Sequence, residues 1–255
     1  PRRQQQRRRR YLVGSRREQM TPELARTVEA AYVAFKCPPP EDLGVCHRCC
    51  MEEWIEDDFL NHNPRDLRAN YISDWYFAAV TAAGGVVAHK GISEFVMPRV
   101  LELLAEGKDP ATVGEEVVLE RLGAGLTDRW SKTQNATLED FKCAYLDSLI
   151  NDKGRMLDDV LCMFVNAGFD PTSLTDRLLG WNPRDLIEIL HKDWVRWGKP
   201  SIWRTAFWDE KTMQAKQVME WYHSNQLRNH ITEYAAQHSD DAELSSKANA
   251  ILRLI

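Results

Sequence analysis

The amino-acid sequence predicts an all-α fold, a compact array of about ten short to medium helices. Three observations carry that reading. Apolar residues recur at helical spacing from Thr21 onward, helix-start residues precede many of those runs, and strict period-two alternation is almost absent. "TAAGGVVAHKGI" (81–92) is the one place with short-strand character, and its glycines read better as a loop.

The first helix is "TPELARTVEAAYVAFK". Thr21 serves as N-cap, Pro22 fits the first helical position and Glu23 lies beside the positive helix end. Leu24, Val28, Ala31 and Phe35 form its buried stripe. Further helices are expected at 51–60, 64–82, 92–106, 111–123, 137–151, 155–167, 183–197, 209–223, 225–237 and 240–253. Pro98 should break or restart the helix around it, because proline removes a backbone donor and clashes with the preceding turn.

Two stretches, "NPRDLRANYISDW" (63–75) and "NPRDLIEILHKDW" (182–194), agree at seven of thirteen positions. In both, Asn can cap, Pro fits the first turn, Asp sits close to the positive end, and Leu and Trp can face the core. Helix-start chemistry accounts for most of that identity. A duplication would instead place equivalent helices in two similar halves near 20–130 and 140–255, and the repeat does not recur across such a period.

The chain divides into a basic arm, 1–19, and a helical domain, 20–255, with a subdivision expected near 131–137. The arm holds eight Arg against one Glu, a surplus of seven positive charges. Against a total of −5, the remainder therefore carries −12. Such a body repels a phosphate backbone, so nucleic-acid contact would fall to Arg2, Arg3, Arg7, Arg8, Arg9 and Arg10. The arm's Gln/Arg composition reads first as a solvated, disordered tail. No apolar run follows it that would serve as a secretory signal, and none approaches a membrane span, so a cytoplasmic protein without membrane contact is expected. Six Cys in such a chain read as reduced thiols.

Four of them crowd "KCPPPEDLGVCHRCCMEE". Cys46-x-x-Cys49 is half of a zinc knuckle, since two thiolates at that spacing can grip one tetrahedral ion. Cys37 and His62 are the nearest further ligands, with Cys50 an alternative to either. With no second Cys-x-x-Cys, the favoured reading is of free cysteines packed at a loop–helix junction. Cys143 and Cys162 read as lone small hydrophobes on helices.

"VEAAYVAFKCPPPEDLGVCHRCC", "FVMPRVLELLAEG", "LDDVLCMFVNAGFD" and "AFWDEKTMQAKQVMEWYHS" resemble successive segments of a widespread group of uncharacterised bacterial proteins. In that group a helix ends in a Pro-containing turn and a Val-Cys-x-x-Cys follows. The resemblance covers most of the chain from Thr21 onward, leaves out the basic arm, and implies an α-helical, intracellular bacterial protein. It implies no activity and no catalytic residue.

Several chemistries are disfavoured. Glu188/His191 and Glu220/His223 form Glu-x-x-His pairs of the kind found in di-iron bundles, but both glutamates fall opposite the apolar stripe of their helices. His223, His230 and His238 make a row along helical turns rather than a convergent ligand set. "EEWIEDD" (52–58) reads as an exposed helix face. Phosphate-binding loops and the G-x-S-x-G elbow are missing. No converging reactive groups are expected on the polar helix faces.

Six Trp fall within 181–221, interleaved with Lys192, Arg196, Lys199 and Arg204. Aromatics with cations can stack on a ligand; more often they fill joints between helices. Trp194, Trp197, Trp203 and Trp208 would line any ligand groove in this stretch. An acidic helical body without a recognisable reactive centre points to a non-enzymatic protein that binds a partner protein, as an adaptor or immunity-type partner. Nucleic-acid binding through the arm, or zinc at the cysteines (structural or in a metal-dependent enzyme), are the rival readings.

Overall fold

In the computed structural model the described residues are 20–48, 50–78, 87–152, 154–208 and 213–255, with the Trp197 side chain also outside the description. Among them the secondary structure is helical, and the only extended pairing is an isolated bridge position at Val45. The protein is all-α. No helix among the described residues is long and apolar enough to cross a membrane.

The helices are α1 (Pro22–Ala34), α2 (Glu53–Leu60), α3 (Ala69–Phe77), α4 (Lys90–Ala105), α5 (Lys132–Ser148), α6 (Leu157–Asn166), α7 (Pro171–Leu179), α8 (Pro183–Trp194), α9 (Met213–Tyr222), α10 (Asn225–Gln237) and α11 (Ala242–Leu252). Helix α1 packs on α4 and α5, α8 packs on α10 and α11, and α6 lies against α7, α8, α9 and a 3-10 turn at Glu115–Val117. One apolar cluster runs through all of this, from Leu24 on α1 to Ile251 on α11.

The caps behave as their chemistry requires. Thr21 Oγ1 accepts from Leu24 N at 3.2 Å, and Leu24, Val28, Ala31 and Phe35 are all buried. Asn63 and Asn182 both cap, accepting from Arg65 N at 3.1 Å and Arg184 N at 3.0 Å. The two copies then part. The second continues as α8, whereas the first makes only a 3-10 turn, Pro64–Asp66, before the chain extends at Leu67 and restarts as α3. The expected helix over 64–82 is thus interrupted, because the Leu67 carbonyl accepts Arg99 Nε at 2.8 Å instead of a helical N–H. Trp75 and Trp194, the last residues of the two copies, are both buried.

Three further expectations need correcting. Helix α4 runs through Pro98. An interior proline costs about 3 kcal/mol, whereas each large apolar side chain buried contributes roughly 1.5–3 kcal/mol. Phe95, Val96, Met97, Val100, Leu101, Leu103 and Leu104 are all buried along α4, so burial wins. The expected helix at 111–123 is a series of tight turns instead, with Thr112, Gly114 and Gly123 at positive φ and Val118, Leu119 and Leu122 buried. Helix α7 was not expected, although Asp170 accepts from Thr172 N at 3.2 Å and Pro171 opens it.

Gly125 fixes where two loops meet. Its N–H donates to Ala167 O at 2.9 Å, and a Cβ at this position would lie 2.3 Å from Phe169 N and 2.4 Å from Gly168 C. Only glycine permits that approach.

Candidate functional site

The fold withdraws several charged side chains from water, Lys142 and Asp193 among them, and two places bear on function. The first is built on the N-terminal turn of α6, where Asp158 is buried. Its Oδ2 accepts from Thr205 N at 2.6 Å and Trp208 Nε1 at 2.9 Å, and its Oδ1 accepts from Tyr222 OH at 2.9 Å. Beside it, Glu116 Oε1 accepts from Thr205 Oγ1 at 2.6 Å, Glu115 Oε2 accepts from Tyr145 OH at 2.8 Å, and Asp159 Oδ1 accepts from Trp203 Nε1 at 3.4 Å. These carboxylates clasp the 203–208 segment and α9 onto α6. Burial, followed by the charge of Glu116, pushes the Asp159 carboxyl up to about 7. Burial also raises Asp158 against its three donors. The cluster overturns the expectation that no reactive groups converge: "LDD" at the start of α6 meets "GEE", the cap and first residues of the 3-10 turn. Among the described residues, however, no three His, Cys, Asp or Glu side chains are arranged to hold a metal ion. With both Asp158 oxygens, and one oxygen each of Glu115, Glu116 and Asp159, met by protein donors, the cluster acts as a fastening.

The second place is a cavity of about 390 Å³ lined by Pro40, Leu43, Gly44, Trp75, Ala88, His89, Gly91, Ile92 and Arg121, with Glu41 and Asp42 exposed at its edge. Each wall has a local cause. Gly44 adopts φ +63, turning the chain so that Leu43 can be buried and its carbonyl can face Trp75 Nε1 at 3.4 Å. Glu56 accepts from Leu43 N and contacts His47 Nε2, anchoring this loop to α2. Glu56 is therefore buried, contrary to the exposed face expected for 52–58. His89 caps α4, its Nδ1 accepting from Gly91 N at 3.4 Å.

Arg121 completes the cavity. Its guanidinium lies 4.5 Å from the centroid of the Trp75 ring, Nη1 donates to Tyr76 O at 2.9 Å and Nη2 to Ala78 O at 3.3 Å. Burial lowers its pKa from the usual arginine value. Its backbone carbonyl accepts from Ala88 N at 2.8 Å, so the same residue fastens the cavity's far wall. Arg129 adds a second cation nearby, Nη2 donating to Ala88 O at 2.5 Å and Ser93 Oγ at 2.9 Å. Among the described residues, neither arginine forms an ion pair with a carboxylate. Arg129 still feels the charge of Glu94, so in a body carrying a surplus of acid it is Arg121 that lacks an ion-pair partner among the described residues.

The residues singled out from the sequence fall elsewhere. Arg2, Arg3, Arg7, Arg8, Arg9 and Arg10 lie outside the described residues, as does Cys49, and with it the Cys46-x-x-Cys49 pair. Of the other proposed zinc ligands, Cys37 is half-buried with its thiol pKa raised by burial, and His62 Nδ1 lies 2.5 Å from Asp58 O. Cys50 N bonds Cys46 O at 3.1 Å, setting those two residues one turn apart. Of the groove tryptophans, Trp194 is 2% exposed against Tyr222 and Trp208 is 7% exposed on Asp158. They fill helix joints and cannot wall a groove. Trp203 is half-buried beneath Arg196, and the Trp197 side chain lies outside the description. Glu188 pairs with Lys247 at 2.7 Å, and Glu220 and His223 are exposed, away from the core.

Comparison of the chain with protein-family models, curated proteins and solved structures gives no match.

Proposed function

We propose that the protein acts by binding rather than by catalysis, and that it takes a small apolar ligand into the Trp75–Arg121 cavity. One observation carries this reading: a cavity of about 390 Å³, mainly apolar, with one cation in its wall. Small-molecule sites have this size and this mixture, an apolar lining with few polar groups. The acid clasp is the weaker candidate, since each of its carboxylates is already bonded to the chain and its described side chains form no metal-holding group. This reading replaces the protein partner expected from the sequence with a small molecule.

A thermal-shift screen of small apolar compounds tests this. A true ligand at 100-fold over its Kd should stabilise the protein by about 2.7 kcal/mol. Gly91→Leu should remove that gain. Gly91 lines the cavity, and a Cβ there meets only His89 Nδ1, at 3.8 Å, so the larger side chain is accommodated within the helix while filling the space. A screen without saturable stabilisation, or stabilisation unchanged in Gly91→Leu, removes the proposal.

A further inference from the structure

Resting on the pocket-binding reading, we propose that the ligand is a monocarboxylate with an apolar body, its carboxylate facing Arg121 and its body lying against Trp75, Leu43 and Ile92. The argument begins from hydrogen counting. A guanidinium carries five N–H groups. Arg121 gives one from Nη1 to Tyr76 O and one from Nη2 to Ala78 O, while Nε is shut away from solvent without a partner. One further N–H therefore remains on each Nη, on a residue that lines the cavity.

Sign comes next. The charge lies over Trp75, is half-buried, and has no described carboxylate paired to it. An anion supplies the missing partner, and a charge-assisted hydrogen bond in such surroundings is about twice as strong as a neutral one. The anion should also carry a single charge. Glu41 and Asp42 are exposed at the cavity edge and repel a phosphate dianion more than a carboxylate. His89 adds a donor of the right kind: with Nδ1 occupied as the cap acceptor, the ring proton sits on Nε2. The remaining walls are apolar, which excludes a highly hydroxylated acid.

The test uses the full chain and matched pairs of probes: octanoate against octanamide, and phenylacetate against phenylacetamide, by calorimetry. Each acid should bind about 10–100-fold more tightly than its amide. Arg121→Gln should erase that difference, and Arg121→Lys should retain part of it. The wild-type comparison stands alone if Arg121→Gln fails to fold. Acid and amide binding equally, both lost in Gly91→Leu, would refute the carboxylate while leaving the pocket intact. Neither class binding would refute both readings, and inorganic phosphate outcompeting octanoate would refute the single-charge argument.

Discussion

The carboxylates beneath α6 and the guanidinium beside Trp75 are both charges withdrawn from water, and the fold treats them in opposite ways. Asp158 receives a backbone N–H, an indole and a phenol, so both its oxygens are already engaged within the chain. Arg121 is held by two carbonyls yet keeps its net charge unanswered. Burial alone therefore does not mark a site in this protein. What separates fastening from recognition is whether the buried group's bonds and charge are both met within the chain.

The comparison breaks most readily at Asp158. Asp158→Ala should cost about 3 kcal/mol or more in urea unfolding, because three buried donors lose their acceptor together. A loss under about 1 kcal/mol would mean that the clasp does not hold the 203–208 segment.

Asp159 sharpens the same side. Its folded carboxyl, at about 7, keeps a proton that the unfolded chain releases near 4. Its contribution is therefore favourable at low pH and is lost as pH rises from about 4 to about 7. Stability measured between pH 5 and 8 should decline across that window. Asp159→Asn should flatten the decline and leave the variant about 1 kcal/mol more stable than the parent at pH 8. A profile unchanged by the substitution would detach Asp159 from the cluster.

The smallest effect belongs to Arg121. Removing an uncompensated cation offsets the loss of its two carbonyl bonds, so Arg121→Leu should change stability by no more than about 1 kcal/mol. A loss as large as that of Asp158→Ala would make Arg121 another fastening and close the distinction.

Much of the fold was legible in the sequence because helix starts are local. Thr21 and Asn182 announce their helices through side chains that reach only two or three residues ahead. The misreadings arose where distant groups decide. Arg99 captures the Leu67 carbonyl from 32 residues away, and burial on all sides carries α4 through Pro98. Helix α7 carries the same local signal in Asp170 and Pro171. The candidate site was not legible. Arg121 meets Tyr76 across 45 positions, and nothing in the turn around it distinguishes it from a surface arginine. The tryptophan-rich stretch drew attention by composition, while the residue that matters, Trp75, sat in a motif explained as a helix start.

The contact at Gly125 has a practical consequence for anyone reshaping this chain. Because its backbone rests on Gly168 and Phe169 with no room for a methyl group, the two loops form a weld rather than a joint. Tags, insertions or new termini belong away from it.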